Sequence, residues 1–490
     1  MNRHRHVSPN LYALAKLAVE NAGFVTDFSV GVIKEAVEAT ARPLPEVAGS
    51  AKDMRELLWS SIDNQESKDL DQIEFAERLA DNAIRLLVGI ADVDQFVPRG
   101  SETDKRAAAN TVTVYTPAAI FPMLPVQLST GATSLLEDED RLAIVIDLKI
   151  GAGGEILSND IYRALVRNRA KLDYESVGDW LNEEKEAPSK VEDVVGLREQ
   201  IDLQREAADR LHKLRRLNGA LEFDRVEANA TASDGKVTGI VIRKSNPARE
   251  IIENFMIAAN TQMAEFLEER NIPSLRRVVR TPERWGRMVE LAAKLGQTLP
   301  REPDPIALSA FLEHQKQADP DHHADLSLAI MKLMGPGEYR VESSGIQQEG
   351  HFGLAVHDYT HSTAPNRRYP DLVTQRLVKW SLHSGADPYS IEELESIAER
   401  CTRMEAAARK IERTTLKSAI ATILSARVGE AFEAIVTGVK AKGTFVRITD
   451  PPADGLLVSG SKGLDVGDRI QVRLVSTEPE RGFIDFARSG

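Results

Sequence analysis

Apolar residues recur every three or four positions in the first forty residues, which predicts two short helices separated by a turn. The first would begin at Ser8-Pro9 and end near Gly23. Its apolar face comprises Leu11, Leu14, Ala15 and Ala18. The second would be capped by Asp27 or Ser29, and its apolar face comprises Val30, Ile33 and Val37. A helix–turn–helix of this size can bind nucleic acid or pack on a larger domain, and the pattern favours packing.

From residue 53 onwards, the hydrophobic pattern changes to strand-like runs and then to long helices. Residues 85–93 and 142–148 are predicted buried strands, and 193–217 is a predicted helix with a basic C-terminal end. A strand pair is expected around 221–223 and 237–243, with a turn at 233–235. The later predicted helices are 250–269, 282–297, 325–334, 370–383 and 391–425.

After Gly429, short alternating runs are separated by Gly, Pro and Asp, as in a small closed barrel of the OB type. Lys440, Lys442 and Phe445 lie together in its first predicted hairpin. Basic side chains around an aromatic ring suit single-stranded nucleic acid, with charge for phosphates and a face for base stacking. Phe445 could equally be a core residue of the barrel.

Composition narrows the class of protein. The chain has 490 residues, 42% of them hydrophobic, and a formal net charge of −13, which argues against a whole-surface attraction to nucleic acid but not against a local basic channel. With one cysteine, Cys401, we expect no disulfides and no cysteine-based zinc site. With no long apolar run and no signal-peptide pattern, we expect a mature cytoplasmic protein without a membrane span.

Residues 62–72 are unusually acidic. Asp63, Glu66, Asp69 and Asp71 are crowded together, and Asp69 and Asp71 would share one side of an extended segment. Carboxylates this close repel unless a cation neutralises them, and hard oxygen ligands suit Mg²⁺ or Mn²⁺. On these residues alone, a solvated acidic loop is an equal alternative.

A second unusual stretch is the polar loop 351–370, which precedes an apolar helix. Arg367 and Arg368 stand at the start of that helix, where positive charge opposes the helix dipole. Functional sites tolerate such a conflict, and an arginine fork here could hold a phosphate.

These stretches resemble one family. Residues 359–372 are similar to the signature of the ribonuclease II/ribonuclease R family, whose catalytic unit is the RNB domain. Other blocks match in the same order, and they are 90–93, 122–129, 218–224, 253–260 and 351–354. The resemblance runs from about residue 53 to residue 424, and the C-terminal part resembles the S1-type RNA-binding barrel usual in that family.

The resemblance implies hydrolysis of single-stranded RNA from a free 3′ end to 5′-mononucleotides, with two divalent metals at the scissile phosphate. The family's four metal-site aspartates match Asp63, Asp69, Asp71 and Gln72. The position of Asp71 is the most critical, and the catalytic residues would be Asp69, Asp71 and Arg367. At the fourth position, Gln72 keeps a carbonyl oxygen but carries no charge, so we expect a weaker hold on one metal.

The resemblance also implies RNA-contacting residues. Tyr115 and Phe223 match the two aromatic residues that sandwich the terminal bases, and Tyr174 matches a further RNA-contacting tyrosine. Glu253 and Glu412 match acids that contact riboses near the site. Without the family match, each of these five residues is more simply explained as core or surface.

The sequence departs from the family pattern at several places. Ala364 and Asn366 replace a Ser and an Ile of the signature, and Gln375 stands where His is frequent. Family members commonly carry two cold-shock barrels before the catalytic domain, whereas about 50 residues with a helical pattern precede it here. A differently built entrance could admit a 3′ end close to a duplex.

We therefore expect an α+β protein in three parts. Residues 1–50 would form a helix–turn–helix-like domain, 51–425 an RNB catalytic domain with a mixed sheet surrounded by helices, and 426–490 an S1-type OB-fold barrel. The predicted function is a monomeric, Mg²⁺- or Mn²⁺-dependent 3′→5′ exoribonuclease of the exoribonuclease II type. One alternative is an RNA-binding or regulatory protein with weakened catalysis because of Gln72. Another is that the N-terminal helices bind DNA.

Overall fold

The computed structural model describes residues 10–42, 51–223, 227–233, 236–243, 245–343, 349–382 and 388–489. The α-helices are α1 Leu11–Asn21, α2 Val30–Thr40, α3 Glu102–Asn110, α4 Tyr174–Leu181, α5 Ser189–Asp193, α6 Leu197–Leu217, α7 Pro247–Glu269, α8 Trp285–Lys294, α9 Pro305–Ala318, α10 Pro320–Met334, α11 Tyr369–Ser381 and α12 Ile391–Leu424. The strands before the C-terminal barrel are β1 Lys52–Asp53, β2 Trp59–Asp63, β3 Gln72–Arg78, β4 Ile84–Ala91, β5 Val114–Tyr115, β6 Ile120–Phe121, β7 Asp140–Ile150, β8 Ile156–Asp173, β9 Glu227–Ser233, β10 Lys236–Arg243, β11 Ser274–Val278 and β12 Glu338–Glu342. The barrel strands are β13 Ala431–Lys440, β14 Gly443–Thr449, β15 Pro452–Ser459, β16 Arg469–Glu478 and β17 Phe483–Arg488.

The central sheet has six strands in the order β1-β8-β2-β3-β4-β7 and is both parallel and antiparallel. The long strand β8 pairs with β7 through most of its length and with β2 at its C-terminal end, so the sheet curls back on itself. Its interior is apolar, and the largest fully buried side chains include Trp59, Ile62, Leu70 and Ile73. The acidic stretch therefore connects two central strands, β2 and β3, over a rigid core.

The N-terminal helices α1 and α2 are confirmed, but parts of their prediction are wrong. The side chain of Asn10 caps α1, while Ser8-Pro9 lies outside the described residues. Ser29 caps α2 by accepting a hydrogen bond from the Val32 amide, 3.3 Å away. The predicted apolar face of α2 is incorrect, since Val30 is 88% exposed and the buried residues are Val32, Ala36 and Ala39. The error came from reading the larger apolar residues as the core face, whereas small residues allow the close packing seen here.

Helix α1 packs against the β5–β6 hairpin and helix α12. Ala15 and Val19 share an apolar cluster with Val114 and Phe121 of the β5–β6 hairpin and with Ala408 of α12. The ring of Tyr12 stacks on Phe121 with centroids 6.4 Å apart. Packing was the favoured role for these helices, and α1 performs it on the hairpin that carries Tyr115.

The C-terminal strands close into a five-stranded barrel in the order β13-β14-β15-β17-β16, as expected. The core of this barrel contains Val436, Val446, Val472, Leu474 and Phe486. Phe445 is half-buried and lies outside that core, because it alternates with the buried residues Thr444 and Val446 along β14. The core explanation for Phe445 is therefore wrong.

Several elements were not anticipated. They include most of β8, helix α9, and the pair β11–β12. The predicted strand at 221–223 is also wrong, since β10 pairs instead with β9. Among the described residues, no helix combines the length and the apolar character that a membrane crossing requires.

Candidate active site

The acidic stretch forms a loop between β2 and β3 that other parts of the sheet hold in place. Lys171 of β8 donates from Nζ to the carbonyl oxygens of Gln65 and Ser67, at 3.0 and 2.6 Å. The hydroxyl of Ser134 donates to the Lys68 carbonyl and accepts from the Leu70 amide. The backbone on both sides of Asp69 is thus fixed by hydrogen bonds, which limits the directions that the Asp69 carboxylate can take.

Asp71 is buried, with 2% of its surface exposed, and it contacts the polar loop that lies almost 300 residues away in sequence. Its Oδ1 accepts from the Asn366 amide at 3.2 Å, and its Oδ2 lies 3.2 Å from Nε of Arg367. The Arg367 side chain is 48% exposed. One end of this arginine therefore neutralises a buried acid, while the rest of the guanidinium can reach an arriving anion.

Burial raises the pKa of Asp71 to about 7, and the charge of Asp69 adds to this shift, while Arg367 opposes it. Burial likewise raises the pKa of Asp69. Burial would lower the pKa of Arg367, but the attraction of Asp71 and its neighbours raises it. The site thus concentrates more negative charge than one arginine balances.

Tyr115, at the end of β5, joins the acidic loop to the long helix α12. Its hydroxyl donates to Oδ2 of Asp69 at 3.3 Å, and its backbone amide donates to the Glu412 carboxylate at 3.3 Å. The structure therefore brings together Asp69, Tyr115 and Glu412, which the sequence places almost 350 positions apart. A ring held in this way could carry a base directly beside the acids.

Asp63 ends β2 beside Asp173 of β8, and it accepts hydrogen bonds from the amide of Asn64 and the hydroxyl of Ser67, at 2.6 and 3.0 Å. Tyr174 follows Asp173 in the chain. Burial and the charge of Asp63 raise the pKa of Tyr174. The guanidinium of Arg249 lies 4.3 Å from the centroid of the Tyr174 ring. Tyr174 is therefore adjacent to the acidic site, but a cation already covers one face of its ring.

Arg368 does not form a fork with Arg367. Its Nη2 donates to Oδ1 of the fully buried Asp371 at 2.7 Å, and it lies at the N-cap of α11. The two neighbouring arginines thus have different surroundings, and the contact of Arg368 with RNA stays a prediction beside its ion pair with Asp371.

Gln72 and Glu74 occupy the other side of the acidic strand. Both are buried, at 6% and 0% exposed, and alternation along β3 places them on one face. Neither carboxylate oxygen of Glu74 has a hydrogen-bonding partner among the described residues. Burial and the repulsion of Asp63 raise the pKa of Glu74 well above its usual range. Glu74 was missed in the sequence, which also gave no prediction of strand β3.

Two other predicted RNA contacts lie apart from the acids. Phe223 packs against the apolar cluster of α8, α9 and α10, which includes Trp285 and Phe311. Glu253 is exposed on α7, where its charge acts on Arg215. The contacts of the described residues do not connect either side chain to Asp63, Asp69 or Asp71.

On the barrel, the ammonium of Lys440 lies 6.0 Å from the centroid of the Phe445 ring, and Lys442 is exposed nearby. Arg447, on the same strand, is paired with Asp454 at 2.9 and 3.0 Å. Of the predicted trio, Lys440 and Phe445 are therefore neighbours, Phe445 is half-buried, and both lysines are exposed.

The residues that depart from the family signature form hydrogen bonds within the protein. The Asn366 side chain donates from Nδ2 to the Thr133 carbonyl at 3.1 Å, which fixes the loop that carries Arg367. Gln375 accepts from the Asp94 amide and donates to the Ala91 carbonyl. The Ala364 amide donates to Asp371 at 2.8 Å. These residues support the loop without contacting the acidic site, except through the Asn366 amide.

A second acidic group lies elsewhere, at Glu268, Glu342 and Asp358, whose carboxylate oxygens are within 4.8 Å of one another. Arg276 is buried among them and lies 2.9 Å from Glu342. This arginine supplies the neutralising charge, so the group is explained without a metal. The acids at 63, 69 and 71 are more widely spaced.

Acids, an arginine and an aromatic ring thus lie together beside a curled sheet, and a closed barrel follows in the chain. The model of the RNB domain matches residues 51–384, and that of the RNase II-type exonuclease C-terminal S1 domain matches residues 430–489. The chain therefore belongs to the RNB family of ribonucleases II and R.

Its relatives are named ribonuclease R. The protein of Thermotoga maritima is 31% identical and that of Aquifex aeolicus is also 31% identical, each over 94% of this chain and 68% of the relative. The protein of Escherichia coli is 28% identical over 93% of this chain but only 59% of the relative. The chain thus spans between about three fifths and two thirds of these proteins.

Solved structures share the fold. Mycoplasma genitalium ribonuclease R in complex with ribose-methylated single-stranded RNA superposes with a TM-score of 0.87 at 22% identity, over 98% of this chain and 78% of that one. Yeast Ssd1, a pseudonuclease, superposes with a TM-score of 0.69 at 15% identity, over 95% of this chain and 57% of that one. The same fold therefore occurs with and without nuclease activity, and the site residues must decide between them.

Proposed function

We propose that this protein hydrolyses single-stranded RNA from its 3′ end and releases 5′-mononucleotides with the help of Mg²⁺ or Mn²⁺. The observation that carries the proposal is the contact of Asp71 with Arg367, which joins the acidic loop to the polar loop in one site. Membership of the RNB family supports the substrate class.

The donor set suits a hard divalent cation. Asp63, Asp69 and Asp71 offer carboxylate oxygens, and Gln72 a carbonyl oxygen, which are the ligand types of Mg²⁺ and Mn²⁺. When bound, such ions would activate a water molecule and stabilise the leaving oxygen. The excess of negative charge at this site over its one arginine agrees with a cationic occupant.

The protein's own residues would position the RNA. Arg367, half-exposed and anchored on Asp71, would contact the scissile phosphate and stabilise its developing charge. The ring of Tyr115 would stack on a terminal base, which is tolerant of sequence. Its hydroxyl bond to Asp69 would fix the distance between that base and the acids. Phe223, Tyr174, Glu253 and Glu412 remain proposed contacts along the strand.

The S1 barrel would hold the RNA farther from the cleavage point. Lys440 and Lys442 supply positive charge beside the accessible ring of Phe445. Because the chain carries a net charge of −13, we expect binding to depend on such local patches and to weaken steeply with salt.

Approach to structured RNA is a finer proposal. Helix α1 packs on the hairpin of Tyr115, so the N-terminal helices lie next to the proposed binding place of the terminal base. We propose that a 3′ end close to a duplex can be digested. A hairpin with a short 3′ overhang should be shortened to within a few nucleotides of its stem, and stalling far from the stem would contradict this.

The second candidate function is RNA binding with little or no catalysis. Gln72 favours it, because the site is one carboxylate poorer than the four-aspartate set of its family. Incubation of a 5′-labelled oligoribonucleotide with the full chain and Mg²⁺ separates the two candidates. Release of nucleoside 5′-monophosphates, abolished by EDTA and by Asp71→Asn, supports hydrolysis. Tight binding with no product at any Mg²⁺ or Mn²⁺ concentration supports the alternative.

A further inference from the structure

Glu74 is a buried carboxylate for which the fold provides no partner. Its side chain is 0% exposed, and neither Oε1 nor Oε2 has a hydrogen bond among the described residues. A buried acid in this state is costly unless a cation or a proton neutralises it. Full burial without a hydrogen-bonding partner therefore makes Glu74 a candidate ligand for a cation.

The strand directs Glu74 to the side on which Gln72 lies. Trp59 and Phe75 pack their rings together on one face of the β2–β3 pair, 6.3 Å apart. Ser60 and Glu74 are directly opposite each other on the other face, where Gln204 of α6 donates to the Ser60 hydroxyl. Gln72 and Glu74 therefore point the same way, with Cα atoms about 6.6 Å apart at the usual rise of a strand.

Asp63 ends β2, the strand that pairs with β3. The charge of Asp63 acts on Glu74, and both acids act on Tyr174, which lies beside them. Arg249 is directed at the Tyr174 ring and at Glu175, with Nη2 2.8 Å from Oε1 of Glu175. Among the described residues, Glu74 thus has an acid as its charged neighbour and no cation bonded to it.

We propose that Glu74 supplies the fourth carboxylate of the divalent-cation site, in the place that Gln72 leaves without charge. A glutamate is one methylene longer than an aspartate, so from position 74 it can extend along the strand towards Asp63 and Gln72. This inference rests on the proposed function for its metal, but it concerns how this chain holds that metal.

The test is Mn²⁺ binding to the full chain without RNA, measured by isothermal titration calorimetry. Glu74→Gln keeps the shape and removes the charge, and we expect its Mn²⁺ affinity to fall about tenfold or more. Glu77→Gln is the matched control, because it makes the same change on an exposed part of β3. Unchanged affinity in a folded Glu74→Gln variant would overturn the proposal and leave Glu74 as a protonated core residue.

A second pair of variants tests the proposal without relying on Glu74→Gln alone. Glu74→Leu fills the core position, and Gln72→Asp added to it returns a carboxylate to the neighbouring place. We expect Glu74→Leu to bind Mn²⁺ weakly and the double variant to recover at least most of the lost affinity. Equal affinity of wild type and Glu74→Leu would overturn the proposal.

The same proteins are then assayed for RNA hydrolysis as a function of Mg²⁺. If wild type binds Mn²⁺ through Glu74 but releases no nucleotide, the inference stands and the proposed function fails. If wild type degrades RNA and the Glu74 variants match it in Mn²⁺ affinity and Mg²⁺ requirement, the proposed function stands and the inference fails.

Discussion

On one side of the acidic strand, Asp71 accepts a hydrogen bond from the Asn366 amide and is paired with Arg367. On the other side, Glu74 is equally buried but has no hydrogen-bonding partner among the described residues. On the first side, Asp71 has its hydrogen-bond and ion-pair partners within the protein, and 48% of the Arg367 side chain is exposed. The second side has unbalanced negative charge. The contrast fits the proposed function, in which Arg367 would contact a phosphate and a bound cation would neutralise the acids.

The largest expected effect comes from substituting Asp71. Asp71→Asn removes the charge that anchors Arg367 and an acid of the proposed metal site, so hydrolysis should fall by about a thousandfold or more. RNA binding, measured by fluorescence anisotropy, should change little, because the aromatic and basic contacts remain. Retention of full activity in this variant would contradict the site.

Substitution of Arg367 and of Arg368 should separate an effect on activity from an effect on stability. Arg367→Ala should lower the rate of hydrolysis about a hundredfold, because it removes charge stabilisation at the phosphate. Arg368→Ala should instead lower the free energy of unfolding by about 3 kcal/mol, because Asp371 is left buried without its ion pair. Single-turnover hydrolysis and urea denaturation of both variants check this, and an exchange of the two phenotypes would refute the assignment.

Substitution of Gln72 tests the side of the strand that carries Glu74. With Glu74 present, Gln72→Asp should change the Mg²⁺ requirement by only a few fold, since the site already has its fourth carboxylate. In a Glu74→Leu background, the same change should lower the requirement about tenfold. Titration of hydrolysis with Mg²⁺ gives both values. Equal effects in the two backgrounds would show that positions 72 and 74 act independently.

The smallest effect is expected at Tyr115, the proposed stacking residue. Tyr115→Phe keeps the ring but loses the 3.3 Å hydrogen bond to Asp69, so hydrolysis should fall only a few fold. Tyr115→Ala should also weaken RNA binding, by about 1–3 kcal/mol for the lost stacking. Binding and rate measured side by side separate these roles, and identical phenotypes for Phe and Ala would argue against base stacking.

Sequence patterns predicted the long, strongly periodic parts of the fold. The helices around 197–217, 247–269 and 391–424 and the C-terminal barrel all appear, because their periodicity is long or their turns are frequent. The apolar face of α2 was mispredicted, since small residues rather than the exposed Val30 make its contact. Strand β8 was missed although burial alternates along its C-terminal half, which is the usual pattern of a strand.

The acids and Arg367 were recognisable as candidates from the family resemblance, but their mutual contacts were not. The bond from Tyr115 to Asp69 and the burial of Arg368 against Asp371 depend on chain segments far apart in sequence. Glu74 was overlooked because a single acid in an apolar strand reads as a surface residue. Its full burial without a partner is visible only in three dimensions.

The most direct measurement is nucleotide release from two oligoribonucleotides that differ only at the 3′ end, one free and one blocked, across a Mg²⁺ and Mn²⁺ titration. The account predicts metal-dependent release of 5′-mononucleotides from the free 3′ end alone, lost in Asp71→Asn. Binding of both RNAs without release at every metal concentration, or equal release from the blocked end, would contradict it.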